Sequence, residues 1–142
     1  MKLFLRSTAI SMLLTVMMIS TVQFCFAATK SAYNWDPKVP YLGEQVSSYV
    51  QGDYNAGGVF YWVRFISTRG LGTADGYDGY LWFWWTIDGN TIEWYTSGNQ
   101  QDESGYADCN YLKCRSRSGF YKIIGGSPYT WYRDTTAGPI TT

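Results

Sequence analysis

The fold of this chain is decided by the stretch Tyr80-Leu81-Trp82-Phe83-Trp84-Trp85-Thr86-Ile87-Asp88-Gly89-Asn90-Thr91-Ile92-Glu93-Trp94-Tyr95. Aromatic and β-branched residues are enriched in strands, and Asp-Gly between two such runs favours a two-residue type I′ turn. The stretch therefore predicts a β-hairpin in which Trp85 faces Ile92. A turn at Gly89-Asn90 is the alternative; it shifts the register but leaves every side chain on the same face.

The two faces of this hairpin differ in character, because successive side chains of a strand point to opposite faces. One face is apolar and is expected to be core: Leu81, Phe83, Trp85, Ile87, Ile92 and Trp94. The other face mixes rings with polar groups: Tyr80, Trp82, Trp84, Thr86, Thr91, Glu93 and Tyr95. Rings on this second face must be covered or used for binding, since bare ring surface of this extent is near the largest that a soluble monomer exposes.

The candidate ligand-binding residues, which we call the aromatic platform, are Tyr80, Trp82, Trp84, Glu93 and Tyr95. Indole rings stack on the C–H faces of sugars, and polar groups beside them bond sugar hydroxyls. The leading interpretation is a non-enzymatic binding module for a carbohydrate or a cell-wall or other cell-envelope polymer. Two alternatives stay open: a bacteriocin-like or membrane-active toxin whose rings lie at a membrane surface, and a structural or interaction protein in which this face is buried.

The inventory of reactive side chains restricts catalysis. The chain has no His, which removes the commonest general base and a frequent zinc ligand. Glu93 is the best-placed acid for a carboxylate-based glycoside hydrolase, but the sequence identifies no second carboxylate to work with it. We therefore do not expect an enzyme, and we predict no cofactor and no metal site. The Asp- and Gly-rich residues 73–79 lack the spacing of an EF-hand and are expected to form a loop, with calcium binding as the alternative.

Charge argues against nucleic acid as a partner. The chain has 11 Lys and Arg against 11 Asp and Glu, so bulk electrostatics do not attract a polyanion. A short basic stretch is nevertheless present, beside Tyr111 and Tyr121: Lys113, Arg115, Arg117 and Lys122. Acidic residues lie just upstream of it, and we expect these cations to form a solvated face.

Residues 1–27 are expected to be a cleaved secretory signal peptide. Lys2 and Arg6 precede an apolar run over residues 9–22, and Cys25 and Ala27 are small residues where signal peptidase requires them. Retention of the segment as an anchor is the alternative. Its removal takes away two cations and no acid, which leaves a net charge of −2 on the mature chain. We predict a secreted, extracellular protein.

Two cysteines remain after this cleavage, Cys109 and Cys114. In an oxidising compartment they are expected to pair as a local disulfide that closes a short loop. Free thiols are the alternative, and a metal site is disfavoured because zinc requires about four ligands. The predicted disulfide would link two nearby positions of one segment, and the rest of the fold does not depend on it.

The rest of the chain predicts an all-β fold. We expect a small antiparallel β-sandwich or barrel with little or no helix, because short strand-like runs alternate with Gly-rich turns. One β domain is expected over residues 45–134, preceded by an extended N-terminal arm over residues 28–44 and followed by a loose C-terminal tail over residues 135–142. Within the domain, the polar residues 97–107 are expected to form a long loop.

Overall fold

The computed structural model describes residues 28–36 and 46–142, and within these it contains eight strands and no helix. The strands are β1 (Ala28–Asp36), β2 (Val46–Tyr54), β3 (Phe60–Arg69), β4 (Gly76–Ile87), β5 (Asn90–Thr96), β6 (Gln100–Cys109), β7 (Tyr111–Ile124) and β8 (Ser127–Thr141). They form two four-stranded antiparallel sheets, in the order β1-β2-β3-β6 in sheet A and β5-β4-β7-β8 in sheet B. The all-β prediction is confirmed. The predicted signal peptide lies outside the described residues, and no described segment is a helix able to cross a membrane.

The aromatic hairpin forms β4 and β5 in the register predicted for a turn at Asp88-Gly89. The two turn residues have φ angles of 47° and 83°, as a type I′ turn requires. The Asp88 carboxylate also accepts hydrogen bonds from the backbone N–H groups of Asn110 and Tyr111, at 2.8 and 2.9 Å. The hairpin turn is thereby fastened to the segment that leads from β6 into β7.

The apolar core lies between the two sheets, where β2 and β3 pack on β7 and β8. The rings of Phe65, Trp85 and Phe83 stack in a row, with centroids 5.3 and 4.8 Å apart. Such ring pairs add to the stabilisation that burial alone provides. Because Phe83 and Trp85 belong to β4, the inner face of the aromatic hairpin is anchored in the core.

The prediction that the whole inner face of the hairpin is core is wrong for β5. Ile92 and Trp94 face inward by their register but are 55% and 64% exposed. The reason is that β5 is the edge strand of sheet B and lies beyond the main contacts between the sheets. The alternation of side chains along β5 correctly predicts the direction in which these residues point. Whether another element covers them depends on the order of the strands in the sheet.

A cluster of buried serines also lies between the sheets. The hydroxyls of Ser48 and Ser116 are 2.8 Å apart, and Ser116 donates to Ser67 Oγ at 2.8 Å. The Ser67 hydroxyl in turn lies 3.6 Å from Cys114 Sγ. Because each hydroxyl has a partner, the cost of burying it is largely offset.

The predicted disulfide between Cys109 and Cys114 is wrong, since both are free thiols buried in the core. Cys109 ends β6 and lies opposite Phe60 in sheet A, whereas Cys114 lies in β7 opposite Trp85 in sheet B. The chain between the two cysteines therefore passes from one sheet to the other. The two cysteines thus belong to different sheets and are not joined by a bond.

The surroundings of the two thiols keep them protonated. Burial, together with the charges of Asp88 and Asp108, raises the pKa of Cys109 to about 11. Burial also raises the pKa of Cys114, against the opposing effect of hydrogen bonds from Ser67 and other groups. Because the thiolate is the reactive form, neither cysteine is set up for nucleophilic chemistry at neutral pH.

Three segments that we expected outside the β domain or in a loop are strands instead. Residues 28–36 form β1, which pairs with β2 along its whole length and is part of sheet A. Residues 100–109 form β6, and an ion pair between Arg64 and Asp102 links it to β3. Residues 135–141 complete β8 and pair with β7. The strand pairing available in the folded sheets outweighs the polar, turn-like composition of these segments.

Candidate functional site

The aromatic platform lies on the outer face of sheet B, where it borders a pocket of about 440 Å³. Four of the five platform residues line this pocket: Tyr80, Trp82, Trp84 and Glu93. The fifth, Tyr95, packs against them, with its ring centroid 4.8 Å from that of Trp82 and 4.9 Å from that of Tyr80. The structure thus brings all five residues together on one surface.

The platform rings are held in place and remain accessible. Trp82 and Trp84 are half-buried in β4, while Tyr80 and Tyr95 are 47% and 49% exposed. Half-burial limits the rotation of an indole while it leaves part of the ring surface open to solvent. This is the state expected of rings that meet a ligand rather than of rings that fill a core.

Two strands that the sequence did not connect with the platform complete the pocket. Arg117 of β7 lies opposite Trp82, and Tyr132 of β8 lies opposite Gly119. The Arg117 guanidinium lies over the Tyr132 ring, 4.9 Å from its centroid, and Tyr132 Oη is 3.5 Å from Oδ2 of Asp78. Arg117, Tyr132 and Asp78 all line the pocket, and they add a cation, a phenol and a second carboxylate to the platform.

A bulge in β4 shapes one end of the pocket. Gly79 and Tyr80 follow the pair Asp78–Gly119 as extra residues of β4 with no register partner in β7. Gly79 has a φ of 85°, in the left-handed region that glycine adopts without strain. Gly119 is needed opposite the bulge, because a Cβ there would lie 2.3 Å from the Asp78 carbonyl oxygen. Asp78 and Tyr80, on either side of Gly79, line the same pocket as the platform indoles.

Arg69 supports the bulge from the interior, where it is buried. Its guanidinium donates from Nη1 to the Gly79 carbonyl oxygen at 2.9 Å and from Nη2 to the Ser97 carbonyl oxygen at 2.6 Å. It also lies over the Tyr77 ring, 4.1 Å from the centroid. Burial lowers the pKa of Arg69. Within the described ranges Arg69 forms no ion pair, so carbonyl oxygens and a ring compensate its charge.

A second pocket, of about 190 Å³, adjoins the first and shares Trp84 with it. Its lining residues are Trp84, Thr86, Thr91, Lys113 and Arg115. The Arg115 guanidinium lies 5.0 Å from the Trp84 centroid and donates from Nε to Oδ2 of Asp134 at 3.0 Å. This ion pair raises the pKa of Arg115. Arg115 is thus fixed between a ring and a carboxylate.

The basic stretch of the sequence divides between the two sides of sheet B. Lys113, Arg115 and Arg117 lie opposite Thr86, Trp84 and Trp82 on the platform side. Lys122 lies elsewhere and donates from Nζ to the Thr73 carbonyl oxygen at 3.0 Å. The every-second-residue spacing of the first three cations indicated a shared strand face. Their position beside the aromatic platform could be determined only from the order of the strands in sheet B.

The expectation of a loop over the Asp- and Gly-rich residues 73–79 is wrong for residues 76–79, which begin β4. The Asp75 carboxylate accepts a hydrogen bond from the backbone N–H of Ile123 at 2.8 Å, which ties the start of β4 to the β7-β8 hairpin. Among the residues that the structure describes, no group of three or more Cys, Asp or Glu side chains is arranged to hold a metal ion.

No protein-family model, no curated protein and no solved structure matches this chain. Its function is therefore inferred from the residues and the geometry of sheet B alone.

Proposed function

We propose that this protein is a secreted, non-enzymatic binding module whose aromatic platform takes a glycan or a cell-envelope polymer. The observation that carries the proposal is the larger pocket, where the half-buried indoles of Trp82 and Trp84 stand beside Asp78, Glu93 and Arg117. The indoles offer flat apolar surface to the C–H faces of a sugar ring. The carboxylates accept hydrogen bonds from sugar hydroxyls, and the guanidinium donates to them.

The exposure of the platform favours binding over the alternative in which this face is buried within the chain. Tyr80 and Tyr95 are exposed, and the pocket beside them is open enough for a ligand to enter. Ordered aromatic rings at an exposed surface add little to the stability of a folded protein unless a ligand covers those rings for part of the time. A glycan that binds and leaves meets that condition.

We assign the two carboxylates of the pocket to binding rather than to catalysis. A glycoside hydrolase needs one carboxyl as an acid and a second as nucleophile or base, across the scissile bond. Glu93 is exposed on the edge strand β5, whereas the acid of such an enzyme is usually held in an apolar site. Asp78 is engaged by the Tyr132 hydroxyl. Both groups suit the acceptance of hydrogen bonds from a polyol.

Titration of Trp fluorescence with cellohexaose and with chitohexaose tests the proposal, together with co-sedimentation on insoluble peptidoglycan. The double substitution Trp82→Ala, Trp84→Ala is expected to abolish binding while the far-UV circular dichroism stays unchanged. Trp62→Ala is the matched control, because Trp62 is a half-buried indole of β3 in the opposite sheet. Absence of binding to all three materials, or equal loss in the control, would overturn the proposal. Release of new reducing ends from either hexamer would overturn its non-enzymatic part.

A second candidate function, a bacteriocin-like or membrane-active toxin, is favoured by the end of the β7-β8 hairpin. Ile123 and Ile124 precede the Gly125-Gly126 turn, and both are exposed, as is Tyr129, which lies opposite Lys122 on β8. Apolar and aromatic side chains grouped at one end of a protein suit the headgroup layer of a bilayer. Release of calcein from vesicles of phosphatidylglycerol and phosphatidylethanolamine tests this function. Activity that disappears with Ile124→Asp and persists with Trp82→Ala would favour it over glycan binding.

A further inference from the structure

We infer that the glycan bound by the platform carries an anionic group, which lies over Lys113 beside the sugar unit stacked on Trp84. This inference rests on the proposed function and narrows it from glycans in general to acidic glycans. It starts from the strand register of sheet B. Each outward residue of β4 from Trp82 to Thr86 has a cation opposite it on β7, in the pairs Trp82–Arg117, Trp84–Arg115 and Thr86–Lys113.

The three cations differ in how far their charge is already compensated. Asp134 lies opposite Arg117 in the register, yet its carboxylate bonds Arg115 instead. The Arg117 guanidinium lies over the Tyr132 ring instead. It also lines the pocket beside Trp82, which contains two carboxylates. Lys113 forms no ion pair with any carboxylate in the described part of the chain. On this face, the ammonium group of Lys113 is therefore the cation whose charge a bound anion is best able to compensate.

Charge is also distributed unevenly between the two pockets that meet at Trp84. The larger pocket contains the carboxylates of Asp78 and Glu93 together with one cation. The smaller pocket contains Lys113 and Arg115 and no carboxylate. An anion in the larger pocket would meet two like charges, whereas in the smaller pocket it would meet two cations, two threonine hydroxyls and the Trp84 ring. The site is built for neutral hydroxyls at one end and for an anion at the other.

The spacing of the two indoles suits a linear chain of sugars. Alternate residues of a strand lie about 7 Å apart along its axis, so Trp82 and Trp84 can each stack one of two neighbouring units. The next step in the same direction reaches the pocket of Thr86 and Lys113. A chain that crosses Trp84 thus presents the substituent of its next unit to Lys113. A carboxylate, a sulfate and a phosphate all satisfy this position, because each is an anion with oxygen acceptors.

The decisive experiment compares two hexamers by isothermal titration calorimetry: cellohexaose, and cellohexaose in which C6 of one terminal unit is oxidised to a carboxylate, called the acidic hexamer. The acidic hexamer is expected to bind about tenfold more tightly, since a hydrogen bond to a charged group is worth more than one between neutral groups. This preference should weaken as salt is added. Sulfated and phosphorylated cellohexaose, titrated in parallel, establish which anion the site prefers.

Lys113→Gln is expected to bring the affinity for the acidic hexamer down to that for cellohexaose, without changing the latter. Lys30→Gln is the control for the charge change, because Lys30 belongs to β1 in sheet A. If cellohexaose binds as tightly as its charged counterparts, or if Lys113→Gln leaves their affinities unchanged, the inference fails while the proposed function stands. If no hexamer binds the wild-type protein, both fail together.

Discussion

Arg69 donates a hydrogen bond from Nη1 to the carbonyl oxygen of Gly79, at 2.9 Å. Arg69 ends β3 in sheet A and Gly79 forms the bulge of β4 in sheet B, so this bond joins the two sheets directly behind the candidate site. A second bond from the same guanidinium reaches Ser97, between β5 and β6. One buried side chain thereby holds two backbone segments that border the platform.

Replacement of Arg69 by Met is expected to lower the free energy of unfolding by about 2–4 kcal/mol. The substitution keeps the length of the side chain but removes two hydrogen bonds from a charged guanidinium, to the Gly79 and Ser97 carbonyl oxygens, each worth about 1.5–3 kcal/mol. It should also weaken binding of cellohexaose, because Gly79 adjoins Tyr80. Urea denaturation followed by circular dichroism measures the stability. Arg64→Met is the control on the same strand, where an exposed ion pair is lost and little change is expected.

Gly119→Ala is expected to destabilise the protein by about 1–3 kcal/mol, the usual cost of forcing extra atoms into a packed position. The new Cβ would lie 2.3 Å from the Asp78 carbonyl oxygen and 2.9 Å from the Tyr132 ring. Gly105→Ala is the matched control, since no atom lies within 4 Å of a Cβ at that position of β6. The control should be neutral or slightly stabilising. Equal thermal stabilities of the two variants would contradict the close approach at Gly119.

Asp134→Asn is expected to strengthen binding of the acidic hexamer about two- to fivefold, the usual strength of a partly exposed ion pair. The carboxylate of Asp134 is the partner that compensates Arg115, so its removal leaves that guanidinium available to the ligand. Titration calorimetry at low salt measures the change. Asp102→Asn removes the same charge from sheet A and should have no such effect. A gain of similar size for both variants would point to net charge rather than to Arg115.

The free thiols predict that reducing agent leaves the protein unchanged. With Cys109 and Cys114 unpaired, the melting temperature should be the same with and without dithiothreitol. Because both thiols are buried and protonated, Ellman's reagent should react with neither in the native protein and with both after unfolding in guanidinium chloride. A melting temperature that falls on reduction would instead demonstrate a bond between them.

The Cys109 thiol also makes stability depend on alkaline pH. An ordinary thiol loses its proton near pH 9.0, whereas the pKa of Cys109 in the folded protein is raised to about 11. Between these values the folded state binds more protons than the unfolded state, so the free energy of unfolding falls as the pH rises. The slope due to this group is at most about 1.4 kcal/mol per pH unit. Cys109→Ala should show a shallower decline over the same range in urea denaturation, whatever its stability at neutral pH.

Local pattern predicted the aromatic hairpin well, because the information it needs lies within 16 consecutive residues. Asp88-Gly89 specifies the turn, the turn specifies the register, and alternation specifies the faces. The strands β6 and the end of β8 were missed for the opposite reason. Their Gln, Ser, Asp and Thr residues have low or moderate strand propensity, and pairing with β3 and β7 makes them strands.

The missed part of the candidate site has the same explanation. Arg117 and Tyr132 reach the pocket because β7 and β8 follow β4 in the order of sheet B. No sequence pattern within β4 indicates which strand pairs with it in the sheet. The disulfide prediction failed similarly: the spacing of Cys109 and Cys114 carries no information about the change of sheet that occurs between them.

The bulge at Gly79 and Tyr80 has a consequence for changes in chain length. Because it contains two residues, side chains before and after it keep the same phase of alternation, with Asp78 and Trp82 on one side. A deletion or insertion of one residue here would reverse that phase for the start of β4 and turn Tyr77 out of its contact with Phe120. We expect length variants of this protein to differ at the bulge by even numbers of residues.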